Sequence, residues 1–425
     1  MLLTGHYHST KFSEKSSYFY NWLSICHLRA GITEVALEWF RSYLFNRHSS
    51  VSIAGCVSST TNVSYGVPQG SILGPILFSI YMLPLGDIIR KYNVNFHCYA
   101  DDTQLYIPIK PGDQSNITAL HNCITEIKYW QFKSDNFLQL NQTKSDVIII
   151  GPPSKRHQIL GSLGELATLV KPSAKNLGVI FDQDLSFEPQ VKKIVQPCFY
   201  HLRNIAKVRS FIATTDFEKL IHGFISSRLD YCNSLYTCLS QKSLHHLQLV
   251  QNAAARLLTR SKKCDHITPV LAALHWLPVH FRIDFKILLF VFKARHGLAP
   301  VYISDILSSY EPARSLRSTG KALLAVPGSR LKTKGDRAFA IRAPRLWNGL
   351  PEEIRFAESV PRFISLLKTH FYKKAFMLWC LFTYFTYCVC WFICCTDICY
   401  LIVYCMLFFL CCKALCYYYW KVLYK

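Results

Sequence analysis

The chain has 425 residues, 48 Lys and Arg against 26 Asp and Glu, a formal net charge of +22 and 51% hydrophobic residues. That length allows a sizeable core and two or three domains. Of the 18 cysteines, ten crowd into residues 380–416 and the eight scattered through residues 1–374 lack secreted-domain spacing, so a reduced, intracellular body is the default, and MLLTGHYHSTKFSEKSS lacks an apolar run long enough for a secretory signal.

The charge is concentrated. Residues 87–186 hold 10 basic and 10 acidic side chains, whereas residues 187–374 hold 30 and 12, a net of +18. A basic segment of that size points to a polyanionic partner, nucleic acid or an anionic membrane surface.

In chain order, TEVALEWFRSYLFN (33–46) predicts an amphipathic helix capped by Thr33, and HSSVSIAG alternates like a short strand. YGVPQGSILGPILFSIYM (65–82) opens as a turn broken by Gly66, Pro68 and Gly70. Ser71 can cap a helix running to about Tyr92, with an irregular start at Pro75. VNFHCYA and TQLYIPI flank Asp101 and Asp102, so the segment predicts a hairpin with both carboxylates at its tip. Residues 116–136 predict a helix, LQLNQTKSDVIIIG ends in a strand, and KNLGVIFDQDLSF (175–187) predicts a strand pair. Beyond residue 187 the pattern is helical and basic. Helices are expected over 242–260 and over 284–297, the second capped by Asp284 and ended by Gly297, and residues 311–336 read as loop or short hairpin.

Paired carboxylates at a strand turn invite a divalent cation. Mg²⁺ takes oxygen ligands and commonly uses one or two carboxylates together with substrate phosphates. Most Asp-Asp pairs are ordinary surface turns, so the pair alone is weak evidence. Cys232, Cys238, His245, His246, Cys264 and His266 do not match zinc-finger spacing and read as packing and surface. Trp276 and Trp347 read as core anchors.

The order of the motifs adds what the pair lacks. GVPQGSILGPILF at 66–78, YADD at 99–102 and LQLNQTKSDVIIIG at 138–151 resemble the reverse transcriptases of non-LTR (LINE-type) retrotransposons. SSRLDYCNSLYTCL, LQLVQNAAARLLT and LHWLPV resemble the thumb and the region after it. The resemblance covers almost all of residues 30–374 and implies an α/β fold: a partial right-hand polymerase palm followed by an α-helical thumb and extension, with an apolar C-terminal tail. The expected divisions are an unmatched segment 1–30, palm 31–187, thumb-like region 188–300, basic extension 301–374 and a hydrophobic, Cys-rich tail 375–420.

The resemblance also implies site residues. Asp101 and Asp102 match metal-binding aspartates, with Mg²⁺ or Mn²⁺ as the cofactor. Tyr99 and Ala100 match positions under the primer end. Pro68, Gln69 and Gly70 match the loop touching template and incoming nucleotide. Lys144 matches a lysine that helps protonate the leaving pyrophosphate, and as a compact cation it suits phosphate. The implied partners are an RNA template, a DNA primer and deoxynucleoside triphosphates. One element of the pattern is missing. The family carries a further catalytic aspartate upstream of GVPQG, whereas the first aspartate here is Asp87, and only Glu14, Glu34 and Glu38 precede it as acids. The expectation is a 5′-truncated, catalytically impaired polymerase. Its competitors are a competent enzyme in which Glu14 or another group replaces the missing aspartate, and a membrane-anchored, non-enzymatic protein. The third rests on the tail, where AFMLWCLFTYFTYCVCWFICCT is long enough to span a bilayer. A translated T-rich noncoding stretch would give the same composition. Localisation is accordingly at a membrane if the tail inserts, and otherwise intracellular, in cytoplasm or nucleus.

Overall fold

The computed structural model describes residues 2–5, 7–9, 30–63, 70–133, 138–140, 145–311, 320–329, 331 and 334–377. The chain divides into two compact units, Met1–Lys193 and Ile194–Lys425.

The first unit is built on an antiparallel sheet of four strands, in the order Asp146–Ile148, Leu2–Gly5, Asp102–Tyr106 and Asn95–Tyr99. Strands in chain order are β1 (Leu2–Gly5), β2 (Tyr7–Ser9), β3 (Arg47–Ser49), β4 (Ser52–Ile53), β5 (Cys56–Val57), β6 (Thr61–Val63), β7 (Asn95–Tyr99), β8 (Asp102–Tyr106), β9 (Leu138–Leu140), β10 (Asp146–Ile148), β11 (Ser173–Asn176) and β12 (Val179–Asp182). β1 lies between two partners: Leu2 pairs with Tyr106 on one side and with Ile148 on the other. β11 and β12 form the expected strand pair, turned by Leu177 and Gly178, both at positive φ.

Helices α1 (Glu34–Leu44), α2 (Gly74–Tyr81), α3 (Leu83–Lys91), α4 (Gln114–Lys133) and α5 (Pro153–Ser162) complete the unit. Its core takes Leu77 and Tyr81 from α2, Leu85 and Ile89 from α3, and Leu120 and Ile124 from α4, together with Leu105 and Val147 from the sheet. The helices therefore cover one sheet face, because Thr103 and Leu105 of β8 point into the core while Asp102, Gln104 and Tyr106 alternate to the other side.

Two helix expectations need correction here. Residues 71–92 form two helices, not one, separated at Met82. Pro84 has no N–H to continue the first helix, and its ring crowds the carbonyl four residues back. Ser71 is not the cap; the N-cap is Leu73, and the Ser71 hydroxyl instead bonds Tyr43 Oη at 2.5 Å. Thr33 does occupy the N-cap of α1, without a side-chain hydrogen bond. α4 begins at Gln114, where Asp113 Oδ1 accepts from the Ser115 N–H at 3.1 Å.

The division between units falls within α6 (Glu188–Val208). The second unit is helical: α7 (Thr214–Ile221), a π-turn over His222–Ser226, α8 (Ser227–Asp230), α9 (Gln241–Thr259), α10 (Ile267–Ala273), α11 (Val279–Arg295), α12 (Phe339–Asn348), α13 (Glu352–Arg355) and α14 (Val360–Tyr372). Ser240 caps α9, its oxygen accepting from Ser243 N. α11 corrects a third expectation, since it starts at Val279 after Pro278 and Asp284 lies inside it. Val279, Phe281 and Ile283 are buried and so extend the helix backward, while Asp284 pairs with Arg342 at 3.1 Å. The helix ends as read: Gly297 has φ +66°, and the N–H groups of Gly297 and Leu298 reach the carbonyls of Ala294 and Lys293. Trp276 and Trp347 are buried, and Phe363 stacks on Phe292 with centroids 4.2 Å apart.

Among the described residues, no helix is long and apolar enough to cross a membrane. The tail from residue 378 onward, on which the membrane reading rests, lies outside the described residues.

Candidate active site

The two aspartates sit where β7 turns into β8. Tyr99 pairs with Asp102, so Ala100 and Asp101 alone make the turn. The expectation of both carboxylates at the tip is therefore half right. Asp101 is on the exposed turn, whereas Asp102 is the first residue of β8 and faces the open side of the sheet. Ala100 has φ +52°, a left-handed conformation that costs a side-chain-bearing residue about 1–2 kcal/mol. A two-residue hairpin turn needs positive φ to match the twist of its strands, which explains why the conformation is held.

The alternation that anchors β8 also builds the open face. Thr103, Leu105 and Ile107 are each about 4% exposed, which fixes the strand's register on the helices. Asp102, Gln104 and Tyr106 then share the opposite face with Tyr99 and His97 of β7. His97 stacks on Tyr106 with centroids 5.3 Å apart, and its Nε2 is 3.2 Å from Tyr106 Oη. Gln104 Nε2 donates to Asn176 Oδ1 at 2.6 Å, tying β8 to β11. Tyr99 is 68% exposed, leaving a broad aromatic surface beside the carboxylates. His97, Gln104 and Tyr106 belong to no motif that marks them as site residues. The period-two pattern of HCY and DTQLY carries their placement.

Asp101 and Asp102 are hard oxygen donors on adjacent residues, a donor set that suits Mg²⁺ with its remaining positions filled by water or phosphate. Among the described residues, no group of three or more His, Cys, Asp or Glu side chains is gathered for a metal. The strand flanking β8 on the side away from β7 is β1, in which Thr4 pairs with Gln104 and Gly5 with Thr103. Its sequence, LLTG, has no carboxylate.

Gly70 has φ +88° and open space where a Cβ would stand. Pro68, Gln69 and Lys144 lie outside the described residues, as does Glu14.

Residues 21–181 match the reverse transcriptase (RNA-dependent DNA polymerase) family. The chain is 24% identical over 231 residues to a probable RNA-directed DNA polymerase from transposon X-element of Drosophila melanogaster, covering 52% of this chain and 24% of that protein. It is 23% identical over 233 residues to a probable RNA-directed DNA polymerase from transposon BS of the same fly, covering 52% and 25%. The RNA-directed DNA polymerase from mobile element jockey of Drosophila funebris is 22% identical over 252 residues, covering 55% and 27%. The chain thus spans about a quarter of the length of these curated relatives. The YADD hairpin on the open face of the sheet lies inside residues 21–181, the stretch that matches the reverse transcriptase family, and this stretch resembles the reverse transcriptases of LINE-type, non-LTR retrotransposons.

Proposed function

We propose that the chain binds an RNA template with a DNA primer and is built for template-directed nucleotidyl transfer at the Ala100–Asp102 turn, with a low rate. One observation carries the reading: the turn presents two adjacent carboxylates beside an exposed aromatic on the open sheet face, while the next residue of the strand is locked into the core. Asp101 and Asp102 would hold a divalent cation, Mg²⁺ by the hardness of its ligands. Such an ion, when bound, lowers the charge cost of phosphoryl transfer and orients the triphosphate.

The chain's own residues do the rest. Tyr99 and Ala100 support the primer end. Gly70, open on its Cβ side, lets backbone approach an incoming deoxynucleotide, with Pro68 and Gln69 beside the template. Lys144 gives its proton to the departing pyrophosphate. Nucleic acid and deoxynucleotides of this kind are met inside the cell, so the protein works there. The proposed low rate is supported by β1, whose LLTG brings no third carboxylate to the strand beside the hairpin. A thousandfold loss corresponds to about 4 kcal/mol of transition-state stabilisation, a reasonable cost for one missing ligand in chemistry that depends on positioned charge.

Primer extension by the full chain on an RNA template, with Mg²⁺ and deoxynucleotides, tests this beside an Asp101→Ala/Asp102→Ala control. The expected result is that both bind the template–primer and that extension stays at least a thousandfold below an intact reverse transcriptase. Extension at full rate by the native chain but not by the control would keep the site and overturn the impairment. Extension by both would remove the two aspartates from the chemistry.

A further inference from the structure

The second unit carries a patch that the polymerase site does not use. On α6, Ile194, Cys198, Leu202 and Ile205 are buried. The other side of the helix exposes Gln196, Tyr200, Arg203 and Lys207, and no carboxylate follows Glu188 on it. The helix spanning Thr214–Asp230 is interrupted by the π-turn His222–Ser226. Its buried residues are Phe217, Ile221, Ile225 and Leu229, every fourth position. At 3.6 residues per turn such a row drifts about 40° per step, and a wider π-turn absorbs that drift. Ile225 and Leu229 therefore stay inward, and Phe224 and Arg228 are held outward together.

These outward side chains meet those of α6. Tyr200 and His201 have ring centroids 5.5 Å apart, and His201 and Phe224 are 5.1 Å apart. Arg228 donates from Nη2 to His201 Nε2 at 3.4 Å. Tyr200 is 57% and Phe224 43% exposed, so both rings offer free surface beside guanidinium groups.

We propose that Tyr200, His201, Phe224 and Arg228 form a stacking platform for unpaired bases of a single-stranded nucleic acid, with Arg203 and Lys207 meeting its phosphates. Exposed rings gain from flat base faces, which a single strand offers and a duplex hides. The cations favour a polyanion over an apolar protein surface. The platform needs no catalysis at the Asp101–Asp102 turn, so its test stands apart from primer extension.

The test is equilibrium binding of the full chain to a labelled pyrimidine-rich RNA, compared with the same RNA annealed to its complement. Tyr200→Ala and Phe224→Ala should each weaken single-strand binding about 5- to 100-fold, leave duplex binding within twofold and leave the salt slope unchanged. Arg203→Gln and Lys207→Gln should each reduce the salt slope. Phe224→Leu keeps apolar bulk without a ring and should also weaken the single strand, which covers the case in which Phe224→Ala does not fold. Equal losses on single strand and duplex, or no loss on either, would overturn the proposal. So would a loss confined to phosphatidylserine vesicles, which would assign the patch to a lipid surface.

Discussion

At the scale of single residues, Ala100 decides how the two carboxylates are presented. Its positive φ carries strain that glycine would not. Part of the relief is offset by glycine's greater freedom in the unfolded chain. Ala100→Gly should therefore raise the unfolding free energy by only about 0.5 kcal/mol, whereas Ala100→Val should lower it by about 1–2 kcal/mol. Urea denaturation with an unchanged m-value is the measurement, and a destabilised glycine variant would contradict the assignment of strain to this turn. Asp101 and Asp102 are neighbours in sequence with different surroundings. Asp101 belongs to the turn, and Asp102 inherits the alternation of β8.

At the scale of elements, His370 on α14 links a helix to pH. Burial, then Lys374 and Lys373, holds its imidazole below the ordinary range. A basic group with a depressed folded pKa charges first in the unfolded chain, so stability is intact above about pH 6.5 and falls as the pH drops below it. Thermal unfolding of the second unit should shift downward between pH 7.5 and 5.5, and His370→Gln should flatten that dependence; an unchanged slope would remove His370 from the effect. Elements also show what sequence makes legible. The β7–β8 hairpin was readable because two β-prone runs flank a two-residue turn, and α9 because its apolar period is regular. The split between α2 and α3 had a signal in Pro84 that the strong apolar run of ILFSIYM outweighed. The start of α11 is not legible locally because Asp284 resembles a cap, while its partner, Arg342, is 58 residues away in sequence and local rules do not reach it. β1 escaped altogether. LLTG is too short to show a period, and only its pairing with β8 and β10 makes it a strand.

At the scale of the whole molecule, the two compact units have separate cores. Leu85 is fully buried in the first and Trp347 in the second. Leu85→Ala should cost about 2–5 kcal/mol and Trp347→Ala about 3–5 kcal/mol, each in its own unit. Hydrogen exchange read by mass spectrometry should then show lost protection over residues 74–133 in the first variant and over 241–372 in the second. Loss across both regions from either substitution would mean one cooperative block. The place of β1 has a consequence for synthesis. A strand at residues 2–5 must wait for residues 102–106 and 146–148 before both its edges are paired. During translation at about 5–20 residues per second, that interval lasts several seconds or more. Until it ends, the edges of β1 are open to other strands. Recovery of folded protein should therefore depend on how slowly and how dilutely the chain is made, a kinetic burden set by strand order rather than by the stability of the finished sheet.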